Sequence, residues 1–230
     1  LARLLMVNGL GELDQTNTDA IMQWLSANGA LYWMYTVMRM IGRVAFPIFC
    51  FLLVEGFLHT HDVKKYAMRL GLFALLSEIP FDLAFSSKIL EFNYQNVFFT
   101  LFIGLLTMIA YRAVEEKEEW NQALKVILYI LIVAAGMALA YFLKTDYAEK
   151  GVFCIMVLYI FRKKKMWQII AGCASFIWET PALFGFIPIA FYNGTRGWKM
   201  KYFFYIFYPA HLLILYLLCY FMGISGYSAV

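Results

Sequence analysis

The stretch RVAFPIFCFLLVEGFLHT, residues 43–60, decides the class of this protein. From Ala45 to Leu58 it is apolar except for Glu55, and His59, Thr60 and His61 follow it. A lone carboxylate in such a run is costly in a core or a bilayer unless it is paired or used. Composition selects the bilayer. Of the 230 residues 63% are hydrophobic and 15% charged, with mean hydropathy +0.69, against about 25% charged in an ordinary soluble domain. Twenty-two Phe, sixteen Tyr and six Trp add apolar bodies, many with polar tips suited to a membrane interface. A soluble fold of this size cannot hide so much apolar surface.

Outward from that stretch, the hydropathy predicts an all-α polytopic transmembrane helix bundle. Its expected spans are Leu31–Leu58, Tyr66–Phe85, Asn96–Ala113, Val126–Leu143, Gly151–Phe161 and Phe203–Met222. Met166–Tyr192 holds two short apolar halves around Glu179-Thr180-Pro181, which fits a tight hairpin or one bent helix. Counted as a hairpin, the chain has about eight spans, each crossing needing roughly 20 residues. Leu1–Leu10 reads as the outer end of a further helix whose upstream part is expected to be missing, and Glu12–Asn28 as an external loop with room for a short interfacial helix. No repeat, low-complexity segment or linker divides the chain, so a single domain over 1–230 is expected.

Charge placement orients the bundle. Thirteen of the nineteen Lys and Arg lie in the turns 62–69, 112–125, 162–165 and 194–201, whereas the alternating loops hold Lys88, Lys144 and Lys150. That asymmetry is the positive-inside pattern, with the basic turns cytoplasmic. The net charge of +4 is therefore a topology signal, and no nucleic-acid partner is expected. Cys50, Cys154, Cys173 and Cys219 sit in apolar runs without a CxxC pair. With three histidines and no HExxH or GxSxG, no metal site or serine-hydrolase elbow is expected.

The ionisable groups within the spans form three candidate sets. Glu55 and His59 are one turn apart, as a carboxylate orienting an imidazole for acid–base work requires; a Glu satisfied by a tyrosine or lysine is the structural alternative. His211 follows Tyr208 and Pro209 in an apolar span, where the proline frees a carbonyl, a feature that often marks a cavity wall; a satisfied core histidine is the structural alternative. Glu78 and Asp82 share a helix face, with Arg39 and Arg43 as expected cationic partners, either clamping two spans or positioning a polar substrate. Lys64, Lys65, Arg69 and Arg196, with Lys199 and Lys201, could rim an anion site; lipid head-group contact is the plainer reading.

Five ordered phrases add a resemblance. RVAFPIFCFLLVEGFLHT, KKYAMRLGLFALLSEIPFDLAF, QNVFFTL, YNGTRG and FFYIFYPAHLLILY together resemble the TraX family, from about Arg43 to Tyr216. That family comprises bacterial inner-membrane proteins named for the enzyme that acetylates the N-terminus of F-type conjugative pilin. The resemblance implies a multi-pass inner-membrane acetyltransferase drawing on cytoplasmic acetyl-CoA as co-substrate. Its acceptor would be a pilin-like N-terminus, another protein, a glycan or a lipid. The residues in pattern positions include Arg43, Pro47, Glu55, Arg69, Glu78, Asn96, Asn193, Tyr208 and His211. On this reading His211, Glu55 and His59 are catalytic, with His211 the expected base and Glu55 tuning the site; Lys64, Lys65, Arg69 and Arg196 bind the donor; Arg43, Glu78 and Asp82 form an acceptor-side or structural polar cluster. Members usually open with a helix ending in an Asp-His pair, which this chain does not contain. The rival class is a non-catalytic assembly factor or small-solute transporter.

Overall fold

The computed structural model describes residues 1–13, 16–195 and 201–226. Among them the chain is helical, and the single strand-like pairing is a parallel bridge between Gln95 and Thr145. The helices are α1 (Ala2–Val7), α2 (Thr18–His59), α3 (Val63–Ser86), α4 (Val97–Glu115), α5 (Gln122–Phe142), α6 (Ala148–Ile160), α7 (Lys165–Ser175), α8 (Phe186–Phe191) and α9 (Lys201–Phe221), with 3-10 turns at Leu10–Glu12 and Thr180–Gly185.

Three described helices are long and apolar enough to cross a bilayer: α2, α4 and α5. This is a membrane protein. α5 carries Leu124, Ile127, Ile130, Leu131 and Leu139 exposed along its length, a surface that water would not tolerate and acyl chains match. The expected eight crossings meet a geometric limit in α6 and α7. At 1.5 Å per residue, their 13 and 11 residues reach about 20 and 16 Å, short of the roughly 30 Å hydrocarbon core. α3 has the length but carries Lys64, Lys65, Arg69, Glu78 and Asp82.

α2 begins much earlier than its apolar run. Asn17 accepts the Ala20 N–H at 3.1 Å, capping the helix, and no proline interrupts the polar residues before Leu31. The expected external loop is thus shortened, and Asp14 lies outside the described residues. α4 starts at the anticipated cap. The Asn96 Oδ1 accepts the Phe98 N–H at 3.0 Å, while its Nδ2 donates to the Ala74 carbonyl at 2.8 Å. Asn96 is fully buried, so it both starts α4 and ties α3 to it.

Within the chain two compact units can be distinguished. One comprises Leu1–Gly42, Ser77–Glu91 and Met200–Val230; the other comprises Arg43–Leu76 and Phe92–Lys199. In the first, the buried Arg3 guanidinium donates to the Leu83 and Ala84 carbonyls at 2.9 and 2.8 Å, and to the Ser225 carbonyl at 3.0 Å. A cation at the last carbonyls of α3 satisfies groups the helix cannot pair itself.

The second unit packs α4, α5 and α6 against one another. Gly136 of α5 meets the Thr107 side chain of α4, and Gly104 of α4 meets Ile155 of α6, so the backbones approach closely where small residues allow it. Met166–Tyr192 is a hairpin. Lys165 at the start of α7 donates from Nζ to the Tyr192 carbonyl just past α8, at 2.7 Å, which brings the two ends together. Its returning arm lies against α2: a Cβ on Gly185 would come within 2.7 Å of the Val44 carbonyl oxygen and 2.6 Å of Pro47 Cγ.

Candidate functional site

Polar groups of the second unit gather at both ends of the α2 segment Arg43–His59. Arg43 and Glu55 are twelve residues apart, about 18 Å along the axis.

At the Arg43 end, Arg43 forms an ion pair with Glu179 at the hairpin tip, their side chains 29% and 13% exposed. This differs from the expected pairing with Glu78 and Asp82. Asp82 is buried in the first unit and accepts the Glu91 N–H at 2.8 Å; Glu78 is buried on the same helix. Arg39 bonds to the Tyr35 hydroxyl at 2.6 Å. Glu179 is the sole charged residue in 166–192, a signal that could have nominated it.

Beside this pair, the turn after α5 brings in Asp146. The Gln95–Thr145 bridge holds the turn, and Thr100 bonds Thr145 Oγ1 at 3.0 Å and also the Asp146 carbonyl. Tyr147 and Ala148 take left-handed φ of 63° and 41°, unusual for non-glycine residues. Asp146 accepts the Tyr94 hydroxyl at 2.7 Å. Burial holds its carboxyl above the usual range, against the opposing pull of Tyr94, the Tyr147 N–H and Arg43. Nothing in the sequence marks Asp146, because its burial comes from these long-range contacts.

A raised folded-state pKa means the native protein binds more protons than the unfolded chain between the two values. Asp146's contribution to stability is therefore fully present below the ordinary aspartate range and is lost as pH rises through the elevated pKa. Asp146→Asn, which can still accept from Tyr94, should match or exceed the parent's thermal midpoint in detergent at pH 7 and lose that advantage near pH 4. A gain that persists unchanged at pH 4 would point to a cause other than ionisation.

At the Glu55 end the structure brings together Glu55 and His59, as the sequence predicts. The His59 Nδ1 lies 2.9 Å from the Glu55 backbone carbonyl, so Nδ1 carries the proton and Nε2 is left as acceptor. A Glu55 carboxylate oxygen stands 3.8 Å from the same nitrogen, with Glu55 19% and His59 69% exposed. Tyr192 closes the other side: its ring is 5.3 Å from that of Phe51 in a T-shaped contact. Its hydroxyl is held above its usual range first by burial and then by the Glu55 carboxylate. A Cβ on Gly56 would meet the Tyr66 hydroxyl at 3.0 Å, so α3 also reaches this end.

The expected donor rim is unevenly available. Lys65 pairs with Asp62 at 3.0 Å. The Lys65 N–H and then its ammonium hold the Asp62 carboxyl below the usual range, with Arg69 adding its charge. Lys64 is exposed and Arg69 half-buried. Arg196 lies outside the described residues, as does Lys199. His211 belongs to the first unit; its Nδ1 is 2.9 Å from the Phe207 carbonyl and its ring stacks on Phe207. Among the described residues no carboxylate lies within ion-pair distance of His211, and none forms a metal-binding group.

The TraX protein family model matches residues 13–219, nearly the whole chain. The chain belongs to the TraX family. A relative from Dichelobacter nodosus, named as a probable fimbrial assembly protein FimC of serogroup H1, is 27% identical over 208 residues, covering 80% of this chain and 83% of its own length. No solved structure matches. The TraX match contains both ends of the Arg43–His59 segment and the hairpin that touches each of them.

Proposed function

We propose that this TraX protein is an integral-membrane acetyltransferase of the bacterial inner membrane. It crosses the bilayer several times, within a bundle of about eight helical segments counting the short ones, and moves an acetyl group from cytoplasmic acetyl-CoA to an acceptor at the membrane. The acceptor most in keeping with a relative named for fimbrial assembly is the N-terminus of a pilin-like protein. The observation that carries this reading is the Glu55–His59 pair, at the end of α2 that the charge asymmetry assigns to the cytoplasm.

The chemistry fits the residues. With Nδ1–H held by the Glu55 carbonyl, His59 Nε2 can take the proton from an acceptor amine as its nitrogen attacks the thioester carbonyl. The imidazolium that forms is stabilised by the Glu55 carboxylate. The C–S bond then breaks and the CoA thiolate leaves with that proton. His211, the base expected from the sequence, has a similar Nδ1 arrangement in the first unit with no carboxylate within ion-pair distance among the described residues, and is the second candidate here.

The relative's name favours a second reading, a non-catalytic assembly factor. Purified protein in proteoliposomes, given acetyl-labelled CoA and a peptide with a free N-terminus, separates the two. Label should pass to the peptide only when protein and acetyl-CoA are both present and the donor reaches the face bearing the basic turns. Saturable acceptor binding with no label transfer at any donor concentration would favour assembly.

A further inference from the structure

We infer that Lys165 anchors a phosphate group beside the Glu55–His59 pair. Lys165 is half-buried, and its ammonium meets only neutral partners among the described residues. It donates to the Tyr192 carbonyl at 2.7 Å, and it lies 5.2 Å from the Tyr192 ring centroid and 5.7 Å from that of Phe51. One carbonyl satisfies one of its three N–H donors, while the aromatic walls strip water from the charge without neutralising it.

Nearby cations are differently engaged. Lys65 is paired with Asp62, and Arg69 acts on the same carboxylate. Arg162 grips Glu115 at 2.6 Å, and Lys163 also approaches that carboxylate. Lys64 and Lys164 are exposed. Among these residues Lys165 combines partial burial, an uncompensated charge and closeness to the acid–base pair, because the Tyr192 ring beneath its ammonium carries the hydroxyl on which Glu55 acts. A half-buried lysine with free donors suits a compact phosphate oxyanion. The residue is concealed in sequence by the RKKK run at 162–165, where all four read as topology signals.

Two carriers present that chemistry here: the phosphates of a nucleotide-bearing acyl donor, and an anionic phospholipid head group. The acyl-transfer reading bears only on which carrier is bound, since phosphate binding needs no turnover. The test is therefore equilibrium binding by the full chain in detergent and in nanodiscs, with CoA, adenosine 3′,5′-bisphosphate, phosphate-free pantetheine and phosphatidylglycerol as probes. Lys165→Gln should weaken CoA and the bisphosphate alike by about tenfold or more. Lys165→Arg should hold most of the affinity, and pantetheine should bind both variants equally. A selective loss of phosphatidylglycerol retention with CoA unchanged supports the same site with the lipid as its occupant. On the unsubstituted protein, the phosphate-bearing probe should protect Lys165 from reductive methylation, read by mass spectrometry, which removes any dependence on how the variants fold. No loss for any phosphate-bearing probe, together with no protection, overturns the inference.

Discussion

Glu179→Ala should destabilise this chain by about 1–3 kcal/mol, between the worth of an exposed ion pair and the cost of breaking a fully buried one. Removing the carboxylate leaves the Arg43 guanidinium, 29% exposed, without its partner at the hairpin tip. The loss also acts on Asp146, because the freed Arg43 charge already pulls on that carboxyl. Arg43→Met should cost a comparable amount, by stranding Glu179. The double variant Arg43→Met with Glu179→Leu should regain much of the loss, since paired desolvation is expensive and apolar replacement is often neutral. Unfolding in mixed micelles measures all three. Costs that simply add in the double variant would mean that the two side chains do not act as a pair. The hairpin has a second tether at Lys165–Tyr192, so loss of the tip contact should loosen its outer turn before its base, and limited proteolysis near Glu179 should rise first.

That ion pair also marks where the sequence stops being informative. The helical class and the bilayer setting are legible, because apolar runs and charge asymmetry are local and cumulative. The hairpin is half legible: Glu179-Thr180-Pro181 breaks an apolar stretch, but only the Lys165–Tyr192 contact distinguishes it from a bent helix. The start of α2 was hidden because its polar first turns contain no breaker, and a side-chain cap at Asn17 settles the matter. At the site, Glu55 and His59 are readable since i,i+4 partners on one helix share a face. The same rule misleads at Glu78 and Asp82. Their spacing suggests a cation partner, but Arg43 pairs with Glu179 from a distant segment. Asp146 is beyond reach of any spacing argument, since a bridge to Gln95 and a hydroxyl from Thr100 create its environment.

If the protein transfers acetyl groups as proposed, His59→Ala should lower kcat by roughly 10²–10⁴-fold, the usual worth of a positioned general base, while leaving the dissociation constant for CoA close to that of the parent. The expectation depends on tautomer. Because Nδ1–H points at the Glu55 carbonyl, only Nε2 can accept a proton, and His59 is 69% exposed, so an acceptor can reach it. Glu55→Gln preserves the backbone carbonyl that fixes the tautomer but removes the charge 3.8 Å from the ring. It should reduce the rate less than loss of the imidazole does, because imidazolium is stabilised by the carboxylate and not by the amide. His211→Ala provides the contrast: the ring it removes stacks on Phe207 with no carboxylate within ion-pair distance among the described residues. If His59 is the base, His211→Ala keeps most of the parent rate. If instead His59→Ala keeps the parent rate while His211→Ala loses it, the proton is taken at α9 and the Glu55–His59 pair is structural.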